Sequence, residues 1–312
     1  MAENKIYNLA IIGIGAAGSA ASIYASRYGI NHIIIGNILA GQIPEAHKID
    51  NYPGVEDITG IELAKKMAAH AQKYGAVPIS ETVKDIFKAE QGFEIELQSG
   101  NKLLARAVLL ATGTRRKKLE IPGEAEFLGK GISYCATCDG FFYKNKVVAV
   151  IGGGDSAASA SLYLSNIASK VYLIYRGENL RAEPYWQESI KKSGNIEVIY
   201  KTNVIEFKGN EIVKNLVLDN AHKNNSELKI DGVFVEIGSN PNIGYAKNLR
   251  IAIDSSGHIE VQPDGSTSIE GVWAAGDITT GSDKFRQIIT AAAEGAIAAR
   301  SIFNYLKVKN FL

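Results

Sequence analysis

The whole cysteine supply of the chain, 2 residues, stands in one tetrapeptide, Cys135-Ala136-Thr137-Cys138, with Asp139 directly after it. Thiols two residues apart either exchange electrons or hold a metal. A zinc site would need two further soft or imidazole ligands. No other cysteine remains, and the 5 histidines (His32, His47, His70, His222, His258) are scattered along the chain. Redox exchange is the stronger reading, and no metal site is expected.

Such a pair must be positioned, and two other stretches point to the elements that do it. The apolar run Tyr7–Ile12 leads into Gly13-Ile14-Gly15-Ala16-Ala17-Gly18 and then a helical pattern. This is G-x-G-x-x-G between a strand and a helix, the setting that the motif requires. Gly13 permits the tight turn, Gly15 lets a pyrophosphate approach the backbone, and Gly18 lets the helix pack on the strand. The free N–H groups of the helix start, at Ala16 and Ala17, then face the phosphates. The pattern recurs at Lys146–Ser165, where Gly152, Gly154 and Ala157 fill the same slots, with Asp155 and Ser156 in the first turn. The bland alternative is two glycine-rich turns of an α/β sheet without a ligand.

Between the two units lies VLLATGT, a strand closing on Thr112-Gly113-Thr114; after them come strands closing on Gly238 and on Gly276-Asp277. The last pattern, from Arg286 to Leu306, reads as a helix with small residues on one face. The expected fold is α/β, with two Rossmann-like three-layer nucleotide-binding domains, the second inserted in the first. The expected bounds are 1–114 with 246–312 for the first and 115–245 for the second, joined by short strands. Two nucleotides held by one chain suggest electron transfer between two carriers, of which flavin and nicotinamide are the natural pair.

Bulk properties narrow the classes further. The chain has 312 residues, 46% hydrophobic and 21% charged, with a formal net charge of +1. That balance fits a soluble globular protein and argues against a nucleic-acid or membrane-surface partner. No apolar run approaches the roughly 18 residues needed to span a bilayer. The N-terminus reads as a first strand and turn rather than a signal peptide. A cytoplasmic location is the default, and there a structural disulfide is uncommon.

The order GIGAAG, ATG, YCATCDG, GGGDSA, AAGDI resembles low-molecular-weight thioredoxin reductase over essentially the whole chain. The resemblance implies FAD in the first domain, against Gly13, Gly15 and Gly18. It places Gly41-Gln42 and Asn51 beside the flavin, Asp277 on its ribityl chain, and the pair Arg286-Gln287 near the isoalloxazine. Asp277 would also suit the N-cap of the last helix. Cys135 and Cys138 would form the redox-active disulfide, Cys138 facing the flavin and Cys135 attacking a thioredoxin-like partner. Asp139 would move protons during exchange, its plainer reading being a turn aspartate. Arg115, Arg116, Lys117, Phe141 and Phe142 would lie on the partner-selecting surface, although such a basic cluster is more often a solvated loop. A homodimer and a domain rotation, exposing the disulfide in one arrangement, are further implications. The pair lies in the second domain, as in the small enzymes; LAGQIPEAHKIDNYPG, where the larger reductases keep theirs, has no cysteine.

Two departures bear on cofactors. The second strand ends at Gly36-Asn37-Ile38, with no acid for the ribose. The family's 2′-phosphate clamp, H-R-R-x-x-x-R-A, is here YRGENLRA: Arg176 and Arg181 remain, Tyr175 and Gly177 replace the histidine and second arginine, and Glu178 adds an acid. Ser159 and Ala160 stand where the family has an acidic pair. NADPH is the expected donor. NADH, a donor such as ferredoxin, or no nicotinamide at all are the alternatives. Two other functions stay open: a flavin-dependent dithiol oxidase, and a non-enzymatic flavin-binding sensor.

Overall fold

The run Ile6–Ile12 forms the first strand, buried from Leu9 onward. The computed structural model describes residues 6–46, 49 and 51–312, apart from the side chains of Thr137, Cys138 and Lys284. It divides into two units, Met1–Arg115 with Asn240–Leu312, and Arg116–Ser239.

In the first unit the sheet runs Val77–Ile79, His32–Ile35, Ile6–Ile12, Lys102–Leu110, Gly92–Leu97, Val83–Ala89. The first four strands are parallel and the last two antiparallel. Lys102–Leu110 pairs with Gly92–Leu97 at one end and, in parallel, with Val272–Ala274 at the other. Strand side chains alternate between faces, and each face has its own core. Leu9 and Ile11 pack among the small residues Ala17, Ala21, Ala298 and Ala299 of helices Ala16–Arg27 and Ile288–Val308. Ala10 and Ile12 join Ile86, Phe93 and Val272 on the other side. Helix Gly60–Lys73 begins with a reciprocal capping box between Thr59 and Glu62, which satisfies two of its free N–H groups.

The second unit repeats the scheme. Five strands lie in the order Ile196–Ile199, Lys170–Ile174, Val147–Ile151, Gly232–Val235, Ile132–Ser133, every neighbouring pair parallel. Val148, Val150 and Phe234 face helix Asp155–Ser165. Ala149, Ile151 and Val235 face Phe207, Leu216 and Leu218 of a three-stranded antiparallel sheet, Val204–Gly209, Val213–His222 and Asn225–Lys229. The layers are thus sheet, sheet and helix. The chain passes between the units through the short strands Thr114–Arg116 and Ser239–Pro241, which pair with each other.

Candidate functional site

Each unit presents one phosphate cradle at the carboxyl end of an inner parallel strand, Ile6–Ile12 in the first and Val147–Ile151 in the second. In the first unit Gly13 has φ +113, and a Cβ there would lie 2.2 Å from the Ala111 carbonyl oxygen. A Cβ on Gly18 would lie 1.9 Å from the Gly13 carbonyl oxygen, so strand and helix meet at contact distance only because both lack one. Gly15 is the N-cap of helix Ala16–Arg27, and its Cβ would meet nothing within 4 Å. No side chain caps that helix and no acid lies in its first turn. Its free N–H groups therefore open onto space that a phosphate fits.

The other predicted residues of this unit fall into three groups. Gly41, at φ +91, is the N-cap of the turn Gln42–Glu45. The Gln42 side-chain amide donates to Thr114 Oγ1, and to Asp277 Oδ2 at 3.3 Å. Asn51 donates to Gln287 Oε1 at 2.9 Å. The Thr112 hydroxyl donates to the Asn242 carbonyl at 2.9 Å and also bonds the buried Tyr245 hydroxyl; the Gly113 carbonyl accepts from Asn242 N–H at 3.0 Å. Gly276 donates its N–H to Glu294 Oε2 at 2.7 Å. Burial pushes the Asp277 carboxyl above the usual aspartate range; Arg286 opposes that push and Glu294 adds to it. Arg286 donates from Nη2 to His258 Nε2 at 2.6 Å and from Nε to the Asp277 carbonyl at 3.4 Å.

One expectation is corrected here. The N-cap of the last helix is Gln287, in a reciprocal box with Thr290, so Asp277 does not cap it. The residues between, including the 3-10 turn Ser282–Lys284, place Asp277 well before the helix start. Its carboxyl is left beside Gln42. Thr114, Glu294, His258 and Tyr245 were not among the expected site residues. Glu294 had a faint signal, as the one acid in the small-residue run Ala291–Ala299. The others reach the site only through pairings far apart in the chain.

The second unit has the matching cradle. Gly152 has φ +150, and a Cβ there would lie 2.1 Å from the Glu236 carbonyl oxygen and 2.8 Å from Ala157 Cβ. Gly154 is the N-cap of helix Asp155–Ser165, with nothing within 4 Å of its Cβ and no side-chain cap. Asp155 Oδ1 accepts from Glu183 N–H at 2.7 Å. Ser156 is exposed in the first turn, and Arg176 and Arg181 are exposed beyond strand Lys170–Ile174. Both cradles fit a dinucleotide pyrophosphate by this geometry.

Cys135 is disulfide-bonded, and the only other cysteine of the chain is Cys138, whose side chain lies outside the described residues. Cys135 follows strand Ile132–Ser133, and its N–H donates to Ser133 Oγ at 2.9 Å. Its carbonyl accepts from Asp139 N–H at 3.2 Å, closing the short helix Ala136–Asp139. Asp139 is half-buried, and after burial itself it is the next influence raising the Tyr143 phenol. Phe141 and Phe142 directly after it are 73% and 70% exposed, a degree at which apolar rings are available to a partner. In the basic cluster, Arg116 is tied to the buried Glu236 at 2.5 Å. Among the described residues no group of three or more His, Cys, Asp or Glu could hold a metal ion, and no helix is long and apolar enough to cross a membrane.

Residues 7–295 match the family described as Pyridine nucleotide-disulphide oxidoreductase. A thioredoxin reductase of Bacillus subtilis (strain 168) is 39% identical over 310 residues, covering 98% of this chain and 97% of that one. The crystal structure of Lactococcus lactis thioredoxin reductase aligns with a TM-score of 0.91 at 33% identity, over 97% of this chain and 99% of that one. That of T. acidophilum thioredoxin reductase aligns at 0.89 and 36% identity, over 96% and 98%.

Proposed function

Because the chain belongs to the pyridine nucleotide-disulphide oxidoreductase family, a family that uses flavin and nicotinamide nucleotides, we propose that it is a thioredoxin-disulfide reductase. The observation that carries this reading is a disulfide at Cys135 in the same unit as a dinucleotide cradle. The first unit, Met1–Arg115 with Asn240–Leu312, holds FAD, and the second, Arg116–Ser239, holds NADPH. The enzyme works as a cytoplasmic homodimer on a thioredoxin-like protein.

Bound flavin and nicotinamide would supply hydride transfer and a two-electron donor for the disulfide. The residues of the chain do the rest. Gly13, Gly15 and Gly18 seat the FAD pyrophosphate against the helix N–H groups, and Gly152, Gly154 and Ala157 seat that of NADPH. Gln42, Asp277 and Arg286 hold the flavin's polar groups. Two electrons and two protons convert the disulfide to two thiols. Cys135 as thiolate then attacks a sulfur of the partner disulfide and expels the other as a thiolate. Cys138 attacks the mixed disulfide, re-forms the bond to Cys135 and releases the partner as a dithiol. Asp139 takes and returns the proton that makes the thiolate. Phe141 and Phe142 give the partner an apolar landing.

The test is an anaerobic titration of the yellow protein with NADPH and, in parallel, NADH. Flavin bleaching at low NADPH, together with loss of partner reduction in Cys138→Ser, is the expected result. Full partner reduction by Cys138→Ser would sink the scheme. No bleaching by either nucleotide, with dithionite still effective, would redirect the search to ferredoxin or dithiol donors, the reading that Gly177, Ser159 and Ala160 keep in play.

A further inference from the structure

Strand Lys170–Ile174 ends where a dinucleotide's adenosine ribose is read: an acid there binds a 2′-hydroxyl, an arginine a 2′-phosphate. Both kinds of residue are present, Glu178 against Arg176 and Arg181. The local packing decides between them. The Tyr175 ring covers two glycines at once. A Cβ on Gly153 would fall 2.4 Å from the ring, and one on Gly177 2.6 Å from it. A side chain at position 177, cationic or not, would require the Tyr175 ring to move.

A cation reaches the same place from the next strand. After Ile196–Ile199 the chain turns back, with Lys201 at φ +53. Lys201 N–H donates to the Gly177 carbonyl at 3.1 Å, and Thr202 N–H to the Tyr175 carbonyl at 3.2 Å. The backbone of Lys201 is thus pinned beside Gly177. Its Nζ lies 2.7 Å from Glu178 Oε1, with side chains 68% and 73% exposed. An exposed pair of this kind contributes little to stability. It does occupy the one carboxylate that would otherwise bind a ribose hydroxyl. Arg181 starts from the cradle itself, its N–H on the Gly153 carbonyl at 2.7 Å.

We propose that Lys201 is the third cation of a 2′-phosphate subsite with Arg176 and Arg181, and that by engaging Glu178 it makes the second unit select a 2′-phosphorylated nucleotide over NADH. This rests on the reading that the second unit binds a nicotinamide dinucleotide. Three cations and one carboxylate leave net positive charge for a phosphate dianion.

The test is calorimetry on the oxidised, flavin-loaded protein with two redox-silent fragments, adenosine 2′,5′-bisphosphate and 5′-AMP. Wild type should prefer the bisphosphate. Lys201→Met, which keeps the stem and removes the charge, should weaken the bisphosphate about tenfold, the size of one charge-assisted contact, and leave 5′-AMP unchanged. Lys201→Arg should recover most of the loss. A Lys201→Met protein with the wild-type ratio of affinities would overturn the inference, as would equal binding of the two fragments by wild type. Binding of neither fragment would overturn both the inference and the nicotinamide reading beneath it.

Discussion

Gly15 and Gly18 lie three residues apart, and a side chain would damage different things at each. At Gly15 a Cβ meets nothing within 4 Å, and φ −74 suits any residue. At Gly18 it falls 1.9 Å from a backbone oxygen. Gly15→Ser should leave the flavin-free fold intact, since serine is at least as good an N-cap as glycine, by about 0.3 kcal/mol. Its hydroxymethyl group would fill the space in front of the helix N–H groups that a pyrophosphate needs. Losing two charge-assisted contacts of about 1.5 kcal/mol each gives roughly 3 kcal/mol, about 150-fold in FAD affinity. Gly18→Ala acts the other way. Overpacking costs about 1–3 kcal/mol, offset in part by about 1 kcal/mol of helix propensity, and any flavin loss follows from loss of the fold. The assays are FAD titration and thermal melting of both apoproteins. Gly15→Ser binding FAD as wild type does, or melting well below it without FAD, would refute the assignment of that open space to the cofactor.

Phe234 is fully buried and meets the Tyr143 ring edge-on at 5.4 Å, so Phe234→Ala should cost about 3–5 kcal/mol. Trp186 of the same unit should report an earlier denaturant midpoint, and no shift would show that this core is not close-packed. Glu197, hydrogen-bonded by Lys170 and Lys223, has its carboxyl held down to about 2. Its stabilisation is complete above the unfolded value of 4.5 and is lost as pH falls from there towards 2. Glu197→Gln should flatten the melting temperature of the protein across that acid window, and an unchanged slope would contradict the pairing. Asp277 is the opposite case: its raised pKa gives stability at low pH that is lost as pH rises through the folded value. Glu294→Gln removes a charge that raises it, so the loss should move to lower pH in a series of melts; a move to higher pH would reverse the sign argued here.

The parts legible in sequence were those that demand one residue type at a fixed spacing. Gly13, Gly18 and Gly152 are glycine because backbone a few residues away, or on the adjoining strand, fills the Cβ position. That constraint writes itself as a short motif. The Cys135 disulfide was legible through its spacing. Side-chain hydrogen bonds between distant residues leave no such mark. Gln42 meets Thr114 across 72 residues, and Glu294 reaches back to Gly276 across 18. Asp277 was assigned a cap that Gln287 provides, because an aspartate before a helix is read from order alone, while the length of the intervening turn is set by packing. Nothing in the sequence marks Lys201; its place is set by the backbone hydrogen bond to the Gly177 carbonyl.

The first unit is built from two stretches separated by the whole second unit, which orders their synthesis. Strand Ile6–Ile12 and helix Ala16–Arg27 emerge before the second unit, and the helix that covers them, Ile288–Val308, emerges after it. At about 5–20 residues per second, the apolar face of Leu9, Ile11 and Ala21 waits uncovered for on the order of tens of seconds. The second unit, Arg116–Ser239, is contiguous and has all its strands long before that. On the ribosome the inserted unit is therefore the first that can complete its core. The enclosing unit is the part exposed to misassembly, and a nascent chain stalled before Ile288 would carry a folded insert on an open sheet.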